Sequence, residues 1–185
     1  MPSIFTHAAV PLLLGGVAGR KCVSGRLLAT GAIAAMLPDA DTVGFKLGIA
    51  YASDFGHRGA AHSIAFALAV ACLAAASHRL LLTTPWRAFG FVALAALSHP
   101  LLDACTNGGL GVALAWPMDD HRYFLPWRPI EVSPIGARFF SARGLVVIGS
   151  ELTWVVLPTA GLAGLAWIAG RRRAARRQMP QRRMP

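Results

Sequence analysis

Charged residues are scarce in this chain, and that scarcity argues against an ordinary water-soluble domain. Of its 185 residues, 14% are charged and 55% are hydrophobic. A soluble domain is typically about 25% charged and about 45–50% apolar. The excess apolar surface must face something other than water, and lipid is the simplest candidate. A chain of this length is expected to form one domain.

Cysteine is also sparse, and no two of the three cysteines form a C-x-x-C pair. Cys22, Cys72 and Cys105 all lie in apolar stretches. The pattern argues against a disulfide framework or a cysteine zinc site. It predicts small buried side chains instead.

Acidic residues number only eight, and none follows residue 170, where seven arginines account for most of the net charge of +10. A basic run after a hydrophobic helix is typical of a cytoplasmic flank. We therefore expect a membrane-embedded domain over 1–170 and a disordered cytoplasmic tail over 171–185. Nucleic-acid binding is the alternative, but no aromatic residue interleaves the arginines, and no nucleic-acid partner is expected.

Five apolar segments can be drawn along the chain, at about 5–19, 27–37, 62–77, 88–102 and 144–169. The last is long enough to span a bilayer, which takes about 20 apolar residues. The first two are short, and the sequence leaves open whether they are tilted spans or a re-entrant hairpin. Alanines in the third and fourth permit close helix packing. The fold class predicted is all-α, a membrane-embedded bundle of about five apolar helices.

The orientation follows from the positive residues. If the chain crosses at every segment with its C-terminus in the cytoplasm, twelve basic residues lie inside and six outside. This bias favours the arrangement, and makes the protein multi-pass. It also brings ionisable side chains from four distant segments to the extracytoplasmic face, namely His7, Asp39, Asp41, His57, His62 and Asp103.

Ionisable groups at the edge of a membrane segment are costly and indicate function. His99 and Asp103 are four residues apart, so on a helix they share one face and can reach one ion; the alternative is a buried histidine hydrogen-bonded to an aspartate. Asp39 and Asp41 would repel each other unless a cation lay nearby, although they could also end a helix. These side chains suit zinc, manganese or iron.

The stretch from His57 to His62 adds a cation beside the candidate ligands. We expect His57 in a loop and His62 in the first helical turn, and both are candidate metal ligands. The guanidinium of Arg58 suits a phosphate or carboxylate substrate, which it can grip with two hydrogen bonds; the alternative is an interfacial arginine whose stem lies along apolar surface. Arg58 is therefore a predicted catalytic residue, and Asp41 is the predicted general base, with Asp39 or Asp103 as alternatives.

The order of these motifs also carries a family resemblance. Leu37-Pro38-Asp39-Ala40-Asp41, His57-Arg58-Gly59-Ala60-Ala61-His62-Ser63, Ser98-His99-Pro100-Leu101-Leu102-Asp103 with Thr106, and the later Trp116-Pro117 resemble the bacterial inner-membrane metal-dependent hydrolases, also described as LexA-binding hydrolases. The resemblance covers roughly residues 5–130. That family is distantly similar to the helical zinc phospholipase C and single-strand nuclease group.

The resemblance implies one or two zinc ions and a location in the bacterial inner membrane. By that resemblance the ligands are His7, Asp39 or Asp41, His62, His99 and Asp103. The expected function is hydrolysis of a small-molecule or lipid phosphoester by a metal-activated water, with membrane lipids as partners. A metal transporter and a non-catalytic membrane adaptor are the alternatives. A transporter would need its ligands near the bilayer midplane, whereas these lie at helix ends.

Overall fold

The structure, a computed structural model, describes residues 1–178, and in that part of the chain regular structure is helical throughout. The first four helices are α1 (Ile4–Ala18), α2 (Gly25–Met36), α3 (Ile64–Ala76) and α4 (Pro85–Ala104). A long last helix is made of α5 (Ala142–Glu151), a π-helical turn (Leu152–Val156) and α6 (Leu157–Gln178). Each of the five predicted apolar segments forms one of these helices. The predicted all-α bundle is confirmed.

Short 3-10 segments connect the helices at the end of the bundle where the motifs lie. They cover Leu37–Leu47, Ala60–His62 and Gly136–Phe139. Serine side chains cap the N-termini of α2 and α3. Ser24 accepts a hydrogen bond from the amide of Leu27, and Ser63 accepts one from the amide of Phe66. Such caps satisfy amides that have no partner within the helix.

The core between α2, α3 and α4 is built mainly from alanine. Its fully buried members include Ala71 and Ala88, and small side chains let helix backbones approach closely, as the sequence predicted. Phe91 of α4 fills the space over Gly15 of α1 and Gly31 of α2; a methyl group added at Gly15 would lie 2.7 Å from its ring. These glycines make room for one aromatic side chain.

One helix of the described residues is long and apolar enough to cross a membrane, the stretch Ala142–Arg172. The apolar helices Ile4–Ala18 and Ile64–Ala76 are shorter; at about 1.5 Å per residue they rise only about 20–23 Å. The helix that contains α6 continues to Gln178, so the first eight residues of the predicted basic tail are helical, because alanine and arginine are good helix formers. Residues 179–185 of that tail lie outside the described residues.

The cysteines correct one prediction. Cys22 and Cys72 are exposed and Cys105 is only partly buried, so the expected burial was wrong. Cys72 lies on the outer face of α3. The opposite, packed face of this helix is occupied by alanines. Apolar sequence surroundings indicate burial in protein only when the surrounding medium is water.

Candidate metal centre

Four separate parts of the chain meet at one end of the bundle. His7 lies in the first turn of α1, Asp39 follows α2, His62 precedes α3, and His99 and Asp103 lie in the last turns of α4. All five side chains are buried. Because successive helices run in alternating directions, these are the ends that come together. Pro100 does not break α4, which continues to Ala104.

The closest grouping consists of Asp39, His62, His99 and Asp103, each of which brings one ligand atom within 4.8 Å of the others. The Nε2 atoms of His62 and His99 are 3.0 Å apart. His99 Nε2 lies 3.4 Å from Asp39 Oδ1, and His62 Nε2 lies 3.4 Å from Asp103 Oδ2. In a tetrahedral zinc site with bonds of about 2.0–2.1 Å, ligand atoms are about 3.3–3.4 Å apart. The His62 Nε2–Asp39 Oδ1 distance is longer, at 3.8 Å, so the four atoms lie near the spacing of a single ion site and would close slightly around the ion.

The carboxylates of this group have cationic and imidazole neighbours at 3.2–3.8 Å but no hydrogen bond of good geometry within the described part of the chain. Both oxygens of Asp39 and both of Asp103 are buried and accept no hydrogen bond from the residues that the structure describes. A buried carboxylate without a donor is costly, and a divalent cation removes that cost. The donor set therefore fits a metal ion by chemistry as well as by distance.

His99 is held so that one nitrogen faces the other ligands. Its Nδ1 lies 2.7 Å from the carbonyl oxygen of Ala35 in α2. A carbonyl only accepts, so Nδ1 must carry the proton. Nε2 of the neutral ring then presents a lone pair toward His62 and Asp39. A backbone carbonyl that orients a ligating imidazole is a usual partner of metal-binding histidines.

Asp41 lies on the far side of His62 and contacts a second histidine. Its carboxylate is 3.1 Å from His62 Nδ1 and 2.7 Å from His57 Nδ1, and these three residues form a second grouping that could hold a metal. Burial alone raises the pKa of Asp41, but His57 and His62 lower it below its usual value. Burial lowers the pKa of His62, but the carboxylates of Asp103, Asp39 and Asp41 raise it to about 10.

His7 adjoins the four-atom group without joining it. Its ring stacks on that of His99, with centroids 3.6 Å apart, and its Nε2 lies 3.5 Å from Asp103 Oδ1. Neither ring nitrogen makes a hydrogen bond to the described residues. His7 can reach an ion bound by Asp103, and it also covers the site from the side of α1.

Arg58 is fully buried, and each part of its guanidinium contacts the chain. Its Nη1 donates to the carbonyl of Gly108 and its Nη2 to Thr106 Oγ1, both at 2.9 Å. Its Nε lies 3.2 Å from Asp103 Oδ2. The alternative of an arginine that extends to the membrane interface is therefore wrong. Arg58 has a backbone φ of 65°, a conformation rare for a side-chain-bearing residue and common at functional sites.

The loop after α4 is shaped around this guanidinium. Gly109 has a φ of 91°, and a methyl group added to it would lie 2.6 Å from Arg58 Nη1. Glycine meets both requirements, the positive φ and the close approach. The segment from Thr106 to Gly109 is therefore packed against the site.

Two further residues of the loop after α4 have contacts away from the four-atom group. Arg122 donates to the carbonyls of His57, Tyr51 and Ser53 at 2.9–3.1 Å, so it holds the loop that carries His57. His121 is exposed. Neither adds a ligand to the four-atom group.

A buried carboxylate in the long last helix was not singled out from the sequence. Glu151 accepts hydrogen bonds from the amide and hydroxyl of Ser3 and from the hydroxyl of Thr6. The contact ties α5 to the start of α1 directly before His7. The available signal was that Glu151 is the one acidic residue within the apolar segment 144–169.

Comparison with known proteins gives two matches that agree. The family model described as YdjM inner membrane protein matches residues 1–175. The Inner membrane protein YbcI of Escherichia coli (strain K12) is 46% identical over 169 residues, which cover 90% of this chain and 98% of that protein. No solved structure matches. Both descriptions state a location in the inner membrane, and neither states an activity.

Proposed function

This chain belongs to the YdjM inner membrane protein family, and from that premise we propose that it is a membrane-bound, metal-dependent hydrolase of phosphoesters. The membership confirms the inner-membrane part of the resemblance drawn from the motifs. The hydrolase activity and the choice of zinc are our proposal. The observation that carries it is the grouping of Asp39, His62, His99 and Asp103 at one end of the bundle.

The residues of the centre divide into those that would hold the metal and those that orient them. Asp39, His62, His99 and Asp103 would hold one ion, and His7 could join through Asp103. A zinc ion held there would supply Lewis acidity, which polarises a phosphoryl oxygen and activates water at neutral pH. The carbonyl of Ala35 fixes His99.

Asp41 and His57 form the part of the centre suited to moving a proton. The carboxylate of Asp41 accepts from His57 Nδ1, which leaves His57 Nε2 as the site for a second proton. An aspartate that fixes the tautomer of a histidine is the usual arrangement of a general base. Asp41 would then act through His57, and His57 would take the proton of the attacking group.

We propose that Arg58 acts on the phosphoester indirectly, by positioning Asp103. Its three nitrogens contact Asp103, Gly108 and Thr106, so it can hold Asp103 in place and balance its charge. A direct bidentate grip on a phosphate, as the sequence suggested, would require Arg58 to release the loop. The two roles predict different effects of Arg58→Lys, described below.

We further propose a multi-pass arrangement with the centre on the extracytoplasmic side. The supporting observations are the distribution of basic residues and the alternating helix directions. The arginine-rich end of the last helix lies at the opposite end of the bundle from His7. Its positive charge favours the cytoplasmic leaflet.

A second candidate function is a membrane adaptor with a structural metal. The side chains of His62, His99 and Asp103 are fully buried, and four protein ligands leave no open position, which is typical of structural zinc sites. In that case the ion would hold together the ends of three helices, α2, α3 and α4. The catalytic proposal requires that one of the four, or His7, yield a position to substrate.

Cobalt substitution distinguishes the two. The purified protein in detergent is stripped of metal, loaded with Co²⁺, and titrated with inorganic phosphate while its visible spectrum is recorded. An open position predicts a phosphate-dependent spectral change, and the same preparation should cleave a phosphomonoester or phosphodiester from a screen. A tetrahedral cobalt spectrum that phosphate leaves unchanged, with no cleavage of any ester, would favour the structural metal.

A further inference from the structure

A groove leads away from the metal centre between α1 and the long last helix. Its inner part is a cavity of about 330 Å³. Asp39 and Thr42 line the end near the centre, and Phe5, Phe139 and Phe140 line it farther out. Pockets for small ligands are typically about 300–1,000 Å³, so this cavity is large enough for part of one.

The groove continues beside the first turns of α1. A second cavity of about 320 Å³ shares Phe5 and Phe139 with the first. It is lined by Ala9 of α1 and by Ile148, Leu152 and Val156 of the last helix. Both helices therefore form its walls.

The two ends of the groove differ in chemistry. The inner end is lined by Asp39, whose buried carboxylate belongs to the metal centre, whereas the walls farther out are mainly aromatic and aliphatic. Phe5 is 67% exposed and Phe140 is 83% exposed, which is unusual for aromatic side chains unless something apolar covers them. The last helix, which forms one wall of the groove, is long and apolar enough to cross a membrane, so lipid is a natural apolar cover for these rings.

From this combination we propose that the groove binds the acyl chain of a membrane phospholipid whose phosphoester headgroup lies at Asp39. The proposal rests on the proposed function and names its substrate class, a lipid phosphoester. A water-soluble phosphoester has no apolar group that could contact the aromatic walls. A lipid has both an acyl chain and a phosphoester headgroup, and it can enter the groove sideways from the bilayer without passing through water.

The test fills the groove and measures lipid binding apart from turnover. Ala9→Phe places a ring in the second cavity, and Ile148→Trp fills it from the opposite wall, so the result does not depend on one substitution. Ala18→Phe is the matched control, since Ala18 is an exposed residue at the far end of α1. Native mass spectrometry of each detergent-purified protein measures retention of an added long-chain lysophospholipid, and metal content is determined in parallel.

We expect wild type and Ala18→Phe to retain the lysophospholipid and both filling variants to lose at least about tenfold in affinity, because several methylene groups lose their contacts. Metal content should stay constant in all four proteins. The KM for a long-chain phosphoester should rise with the loss of binding, whereas the rate with a water-soluble phosphoester should not change.

The outcomes separate this proposal from the proposed function. Lipid retention that the filling variants abolish, without hydrolysis of any ester, would support the groove and contradict the hydrolase. Hydrolysis that is indifferent to chain length and to both filling variants would overturn the groove and leave the hydrolase standing. A dimer that Ala9→Phe and Ile148→Trp convert to a monomer would assign the groove to a second copy of the chain and would also overturn the lipid.

Discussion

The Nε2 atoms of His62 and His99 face each other at 3.0 Å. Since the Nδ1 proton of His99 is directed to the carbonyl of Ala35, its Nε2 carries a lone pair. One proton on His62 can fill the space between the two nitrogens, or one cation can do so. Proton and metal therefore compete for the same position.

Removal of a ligand from this position should remove the metal. His99→Ala and Asp103→Asn are each expected to lower metal affinity well beyond the 10–100-fold typical of changes to orienting groups. His78→Ala is the matched control, because His78 lies at the opposite end of the bundle with its Nδ1 near the carbonyl of Thr83. Elemental analysis of the purified variants measures the outcome. Equal losses in all three would indicate general destabilisation and contradict the assignment.

Metal uptake should release a proton. The pKa of His62 is raised to about 10 by its three carboxylate neighbours, so the metal-free protein holds the imidazolium at neutral pH. A metal binds only the deprotonated ring, and apparent affinity should therefore increase by up to about tenfold per pH unit below that pKa. Calorimetric titration with Zn²⁺ in buffers of different ionisation enthalpy counts the protons. Uptake without proton release would show that His62 is neutral or not a ligand.

The exchange Arg58→Lys should separate positioning from direct contact with substrate. Lysine keeps the charge but cannot reach Asp103, Gly108 and Thr106 at once. If Arg58 positions Asp103, both metal affinity and turnover should fall, by about tenfold or more. If it grips the phosphoryl group, turnover should fall with metal content unchanged. Metal stoichiometry and turnover are measured on the same preparations.

Adjacent glycines in α1 offer a matched pair for the packing of the bundle. A methyl group at Gly15 would lie 2.6 Å from Leu28 and 2.7 Å from Phe91, whereas one at Gly16 meets nothing within 4 Å. Gly15→Ala should cost about 1–3 kcal/mol by overpacking. Gly16→Ala should be neutral or stabilise by up to about 1 kcal/mol through helix propensity. Thermal unfolding in detergent compares them, and equal effects would contradict the packing of Phe91.

Cysteine labelling in intact cells tests the orientation. Ser53→Cys lies in the loop before His57, and Gln178→Cys lies at the end of the last helix. The native cysteines are replaced by serine first, since two of them are exposed. An impermeant thiol reagent should label residue 53 from outside and reach residue 178 only after permeabilisation. Labelling of both from one side would overturn the proposed arrangement.

The sequence predicted much of this architecture because apolar runs and residue spacings are local patterns and because successive helices alternate in direction. Five apolar runs predicted five helices, and the spacing of His99 and Asp103 predicted a shared helix face. The convergence of Asp39 and His62 with that face follows from the alternating helix directions. No knowledge of side-chain packing was needed for these steps.

Other contacts depend on packing that no local pattern encodes. The sequence suggested substrate binding by Arg58, whereas its guanidinium contacts Gly108 and Thr106, about fifty residues away. Glu151 and Ser3 are 148 residues apart. Long-range pairs of this kind are set by how α1 packs on the last helix, which periodicity does not reveal.

The assembly of the centre from both early and late segments has a consequence for the order of biosynthesis. Asp39, Arg58 and His62 emerge from the ribosome before Asp103, to which two of them are close neighbours. A nascent chain that has inserted only α1 to α3 therefore holds Arg58 and His62 without their later partner. Such uncompensated charge is unfavourable in an apolar environment. Docking of α4 is the step that supplies the missing carboxylate, so the ligand set cannot be complete before the fourth helix is in place.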